Sequence, residues 1–147
     1  MTSSSPKPTY DDVNLIIKLY EMRREERMRE ARRWYVASFK VKTLAEFQAL
    51  CPPGSEENAS FRMVVTYWDM VASFLTSGVV NQELFFQSGL ELIFVWERLR
   101  DVVPDLREAF GNPLQYKNFE LASHAFIQWW NKEAPGAYEA YSKRVRG

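Results

Sequence analysis

Cysteine and histidine are almost missing from this chain: Cys51 and His124 are the only ones. A single cysteine excludes an internal disulfide and a multi-cysteine metal centre. Cys51 stands in Cys51-Pro52-Pro53-Gly54, a loop sequence, and reads as a free thiol at a helix end. A nucleophilic cysteine needs a base beside it, and His124 is far away in sequence. A catalytic zinc needs three protein ligands, and a dinuclear carboxylate bundle needs Glu-x-x-His motifs from several helices. Neither set is there, so no metal and no cofactor is expected. The sequence also has no Gly-rich phosphate loop, no Gly-x-Ser-x-Gly elbow and no Ser–His–Asp set.

Charge of one sign is not in excess. Nineteen Lys and Arg face nineteen Asp and Glu. A nucleic-acid binder carries a basic surplus, so nucleic acid is not an expected partner. Apolar runs are broken by charge well short of the ~20 residues that span a bilayer. The opening dozen residues are rich in Ser, Thr, Pro and Asp rather than apolar, so no signal peptide is read and a cytoplasmic location is expected.

Glycine is scarce, with six in 147 residues, and the prolines cluster. Long stretches are therefore free of helix breakers. No segment alternates apolar and polar residues over a strand length. The composition, 46% hydrophobic and 15% aromatic, is that of a globular chain. A chain of this length forms one domain with a core in which aromatic packing carries much of the load. The expected fold class is all-α: a bundle of about four longer helices, with short helices at its ends and an antiparallel central hairpin. A disordered lead covers residues 1–9, the helical domain residues 10–142, and a basic tail with Lys143, Arg144 and Arg146 residues 143–147.

Thr9 followed by Asp12 reads as a cap for a long first helix over residues 10–39. Thr43-Leu44-Ala45-Glu46 is a capping box for a short second one. A third helix is expected over residues 60–77, ending at Gly78, with Arg62, Thr66, Asp69, Ser73 and Thr76 as one narrow polar stripe. Asn81 caps a fourth helix, with Val80 and Phe85 as a hydrophobic staple and Glu83, Gln87, Glu91 and Arg98 as its polar line. The connection between these two is short, so they are read as antiparallel neighbours at the centre. Pro104 opens a short helix ending at Gly111, and Asn112-Pro113 starts the next one. A last short helix holds Tyr138, Tyr141 and Val145.

Three polar positions are candidates if a pocket exists. Asp69 and Glu91 sit on the most apolar helices and could act as an acid–base pair if they faced each other. Each lies on its own helix's polar line, which argues against that use. His124 follows Glu120 by four residues and shares its face, and it reads as a hydrogen-bonded histidine at a helix edge. The pairs Trp34-Tyr35, Tyr67-Trp68 and Trp129-Trp130 read as core, with one ring of a pair left for a surface.

The first helix carries the strongest sign of a partner. Val13, Leu15, Ile16, Ile17, Leu19, Tyr20 and Met22 cover an arc of about 220° at 100° per residue. One packed face needs an apolar stripe little wider than ~100°. The excess implies a second contact surface, with Leu15, Ile16, Leu19 and Tyr20 as the candidate interface. Two-fold dimers are the commonest oligomers, so an antiparallel homodimer is expected there. At 1.5 Å per residue the helix reaches roughly 43 Å and should overhang its neighbours by some 10 Å.

Two blocks of sequence carry a family likeness. The first is Tyr67-Trp68-Asp69-Met70-Val71-Ala72, then Gly78 and Asn81-Gln82-Glu83-Leu84. The second is Trp96 and Pro104, then Asn112-Pro113, Tyr116, Asn118-Phe119-Glu120 and Leu121-Ala122. Together they resemble the uncharacterised bacterial helical family known as domain of unknown function 4760. The likeness covers residues 60–130 and, more loosely, the Arg/Glu-rich first helix. It implies a helical fold and a bacterial source, and it brings no activity or site residue with it. Many members carry an N-terminal membrane segment, which is not read in this sequence. The leading functional reading is a non-enzymatic interaction or scaffold domain that self-associates, with an unknown protein partner. The alternative is a small-molecule sensor or enzyme with an aromatic pocket inside the bundle.

Overall fold

Helix caps set most of the architecture. In the computed structural model, which describes residues 6–147, Thr9 caps α1 (Tyr10–Arg23). Its N–H donates to Asp12 at 2.7 Å, and the Asp12 N–H donates back to the Thr9 hydroxyl at 3.3 Å. Glu25 caps α2 (Glu26–Ser38), Thr43 caps α3 (Leu44–Leu50) and Ser55 caps α4 (Glu56–Thr76). Asn81 caps α5 (Gln82–Phe86), which is followed by α6 (Leu90–Leu99) and a 3₁₀ turn, Arg100–Val102. Then come α7 (Val103–Phe110), α8 (Lys117–Glu133) and α9 (Ala137–Arg146). Among the described residues there is no strand. The all-α bundle expected from the sequence is the fold.

The long α4 is the axis. It packs most extensively on α8 and on α2, while α6 lies against α8 and α9. Val64, Val65, Trp68, Val71, Ala72 and Leu75 of α4 are buried. Each large apolar side chain hidden this way contributes roughly 1.5–3 kcal/mol. Aromatic rings fill both ends of the core. Tyr35, Phe39 and Phe61 stack in sequence at 4.6 and 5.2 Å, and Phe86 lies 4.6 Å from Phe126. Tyr35, Tyr67 and Trp68 are buried, whereas Trp34, Trp129 and Trp130 are half-buried.

Several boundaries differ from the sequence reading. The single first helix is two, separated at residues 24–25, and the expected overhang goes with it. The reason is geometric. Leu19 and Met28 are both buried, yet nine residues place them about 180° apart on one straight helix. A continuous helix cannot turn both into the core, so the chain bends and starts again with Glu25 as the new cap. The fourth helix is likewise two, interrupted at residues 87–89, and at Gly89 a Cβ would stand 2.4 Å from the Phe85 ring. Helix α4 begins at Glu56 rather than residue 60, since the Ser55 hydroxyl accepts from the Asn58 N–H. Helix α8 begins at Lys117 rather than at Pro113, because Tyr116 adopts a left-handed conformation (φ 59°). Asn112 caps only the turn before it, accepting from Leu114. Residues 1–5 of the lead lie outside the described residues. Lys143, Arg144 and Arg146 form the last turns of α9.

Candidate functional site

The face of α1 that points away from the bundle is the first candidate. Asp12 anchors its start: the carboxylate accepts from the N–H groups of Thr9 (2.7 Å) and Asn81 (2.8 Å). Those two backbone donors hold the Asp12 pKa below its usual value, so the anchor is a charged one. Further along, the Tyr67 hydroxyl donates to the Leu19 carbonyl at 2.5 Å. Burial pushes Tyr67 up to about 12, which keeps it a donor. With α1 pinned at these points, Leu19 is buried and Leu15 and Ile16 are half-buried against the core. Three of the four interface positions named from the sequence thus belong to the bundle side, and Tyr20 alone faces outward. What stays in water is a different stripe: Tyr10 (89% exposed), Val13 (40%), Ile17 (51%) and Tyr20 (52%). Their spacing of three, four and three residues puts them on one line of the helix.

The inner end of α1 carries an ion cluster. Arg32 of α2 grips the Glu91 carboxylate of α6 through Nε at 2.9 Å and Nη2 at 2.5 Å. Arg23, the last residue of α1, approaches the same carboxylate at 3.8 Å. The Arg23 guanidinium also lies over the Tyr20 and Trp68 rings, at 5.0 and 5.2 Å. Arg32 donates a further bond to the Arg23 carbonyl. Glu91 therefore links the helices on either side of the break at residues 24–25.

Asp69 has a different task. Its carboxylate accepts from the Phe119 N–H at 3.2 Å and so caps α8, whose own N-cap residue offers no side-chain bond. Burial raises the Asp69 pKa, and the Phe119 bond opposes that shift. The structure does not bring Asp69 and Glu91 together as partners, and neither lines the three hollows described below. His124 is exposed on α8, with its ring edge-on to Trp96 at 6.2 Å. It lines a hollow of about 280 Å³ together with Glu120, Arg100 and Asp101. Burial alone would raise Glu120, but Lys117 at 3.1 Å and Arg107 at 3.2 Å hold it below the usual carboxylate range. No group of three potential metal ligands occurs among the described residues. Cys51 is buried, and burial pushes its thiol up to about 11, away from the reactive thiolate.

The sequence reading passed over Glu97. Its side chain is fully buried, with Tyr138 Oη donating at 2.9 Å and Ser142 Oγ at 2.5 Å, and Arg100 Nε lies 4.0 Å away. This carboxylate ties α9 to α6. The signal was available: six residues separate Glu97 from Glu91, which puts it about 120° off the polar line of α6, inside the apolar face.

Two further hollows lie elsewhere among the described residues. One, of about 700 Å³, lies between residues 6–12, α5 and α8, with Val80, Phe86, Ala125 and Trp129 as its apolar lining and Lys7, Gln128 and Lys132 also facing it. The other, of about 300 Å³, lies between residues 40–42, the end of α6 and the end of α9.

A family model for a domain of unknown function, DUF4760, matches residues 8–141, from the cap of α1 to the middle of α9. The chain belongs to the DUF4760 family. The match includes α1, which the likeness in the two sequence blocks reached only loosely, so the pinned α1 is part of the DUF4760 domain itself. No curated protein and no solved structure matches the chain. No helix of the described residues is long and apolar enough to cross a membrane.

Proposed function

We propose that this DUF4760 domain is a non-enzymatic interaction module that self-associates through the outer face of α1. The exposed stripe Tyr10, Val13, Ile17 and Tyr20 carries the reading. It survives after the bundle has taken up Leu15, Ile16 and Leu19. The stripe is also symmetric in kind and spacing: an aromatic at each end and two β-branched residues between. A two-fold axis near residue 15 sets Tyr10 of one copy against Tyr20 of the other, and Val13 against Ile17. Such self-complementarity is what an isologous contact requires. The contact is narrow, so a reversible dimer of about micromolar affinity is expected. Sedimentation equilibrium should show concentration-dependent dimers for the wild type. A Val13→Glu, Ile17→Glu variant should be monomeric, with an unchanged far-ultraviolet spectrum because both side chains are in water. A wild type that stays monomeric at high micromolar concentration defeats the proposal.

A second reading, a small-molecule sensor, is favoured by the 700 Å³ hollow. Its size falls in the range of ligand pockets, and Phe86 and Trp129 give it an apolar, aromatic lining. Asp12 and Asn81 hold one wall in place through their mutual bond. Quenching of Trp129 fluorescence by a metabolite mixture, lost in a Phe86→Ala variant, would favour this reading over the first.

A further inference from the structure

We infer that the 300 Å³ pocket at the end of α9 binds the phosphate group of a monoester. Five cationic residues line it: Lys40 and Lys42 after α2, Arg98 on α6, and Arg144 and Arg146 on α9. Two side-chain carboxylates, Glu97 and Asp101, also line it beside Gly147, the last residue of the sequence, and both are committed. Glu97 accepts from Tyr138 and Ser142, and Asp101 holds Arg146 at 2.9 and 3.1 Å.

The C-terminal end of α9 is the negative end of its dipole, and it is answered as well. Arg98 donates to the Val145 carbonyl, and to the Val36 carbonyl at the end of α2. Arg146 donates to the Glu97 carbonyl at 2.9 Å. Two of the five cations are thereby used in holding the fold. The other three, Lys40, Lys42 and Arg144, have no carboxylate within 4.0 Å among the described residues, although Arg144 rests on the Tyr141 ring. Three cations that make no ion pair around one hollow, backed by a half-buried arginine, create a field that a dianion satisfies better than the one terminal carboxylate at Gly147. The volume is at the small end for ligands, which fits a phosphate with a short substituent rather than a polymer.

The phosphate could be carried by a soluble metabolite or by a lipid headgroup, and the test separates the two. Titration calorimetry of the full chain would use inorganic phosphate and glycerol 3-phosphate. Co-sedimentation would use phosphatidylcholine vesicles with and without phosphatidic acid. Saturable binding that weakens with added salt is expected in at least one arm. Binding in the calorimeter assigns the site to soluble monoesters; binding only to phosphatidic acid vesicles assigns it to a headgroup. A Lys40→Ala, Lys42→Ala, Arg144→Ala variant should lose about tenfold or more in affinity. Its three side chains are exposed, so folding should be retained, as circular dichroism would verify. A Lys18→Ala, Arg27→Ala, Arg33→Ala variant removes the same charge elsewhere and should bind as the wild type does. Absence of saturable binding in every arm overturns the inference. Equal loss in the two variants overturns it too, because the attraction would then be that of total charge.

Discussion

Two helix breaks, one at residues 24–25 and one at Gly89, lie at the two sides of one ion cluster, yet they arise differently. At Gly89 the constraint is local. The Phe85 ring occupies the space a Cβ would need, so a residue without one is required. At residues 24–25 nothing local demands a break. Glu25 has φ −59° and ψ 142°, a conformation open to any residue, and neither glycine nor proline is near. There the cause is tertiary: Leu19 and Met28 must both reach the core. Glu91, two residues after the steric break, supplies the carboxylate that Arg23 and Arg32 share across the tertiary one. A break written into one residue should respond to that residue, and a break imposed by packing should respond to its partners.

The largest effect is expected at the steric break. Gly89→Ala forces the buried Phe85 ring to move and should destabilise the fold by about 1–3 kcal/mol, read from the midpoint of urea unfolding. Had α5 and α6 room to merge, alanine would instead raise both helicity and stability, and the local explanation would fail. Next comes the tertiary break. Glu91→Ala leaves Arg32 without its bidentate partner in a partly exposed site, and a loss of roughly 1–2 kcal/mol is expected. A double-mutant cycle with Arg32→Ala should recover most of that loss as coupling; strictly additive effects would show that the pair does not hold the break.

The smallest effect is a contrast in acid. Asp12 is held below its usual pKa by the N–H donors of Thr9, at the first cap, and of Asn81, in the α4–α5 turn. Its contribution is present above the unfolded value near ~3.9 and is lost as pH falls through the lower folded value. Asp69 is shifted the other way by burial. The folded carboxyl takes up its proton first, so stability is gained as pH falls from the raised folded value towards ~3.9. Relative to Asp12→Asn, the wild type should therefore weaken in acid. Relative to Asp69→Asn, it should strengthen. Parallel unfolding curves against pH check both signs, and like slopes for the two pairs would refute the assignment.

Features that depend on neighbouring residues were legible from the sequence. Thr9, Thr43 and Asn81 cap the helices they were expected to cap, and α7 ends at the left-handed Gly111. The stripe Arg62 to Thr76 is the most exposed line of α4, because it is the only polar line there. Features set by distant partners were not legible. Asn112-Pro113 has every local mark of a helix start, but the bond that caps α8 comes from Asp69. The excess apolar arc of α1 was visible, while the choice of which side faces inward was fixed by Tyr67, Asn81 and α4. The place of Glu97 off the polar line was visible, but its partners were hidden for the same reason: Tyr138 and Ser142 are more than forty residues away.

The bond from Phe119 to Asp69 spans fifty positions of the chain, and this gives the molecule an order of assembly. Isolated helices shorter than about 15 residues are marginal in water even with a good sequence, and α8, at 17 residues, is little longer and lacks a side-chain cap of its own. The loop joining the two partners must close before the cap exists, and its closure opposes folding entropically. Helix α4, capped locally by Ser55, can form first and then template the start of α8. This order predicts that Asp69 acts after the main barrier: Asp69→Ala should speed unfolding and leave the refolding rate nearly unchanged in stopped-flow measurements. A slowed refolding rate would instead place the docking of α8 on α4 in the nucleus itself.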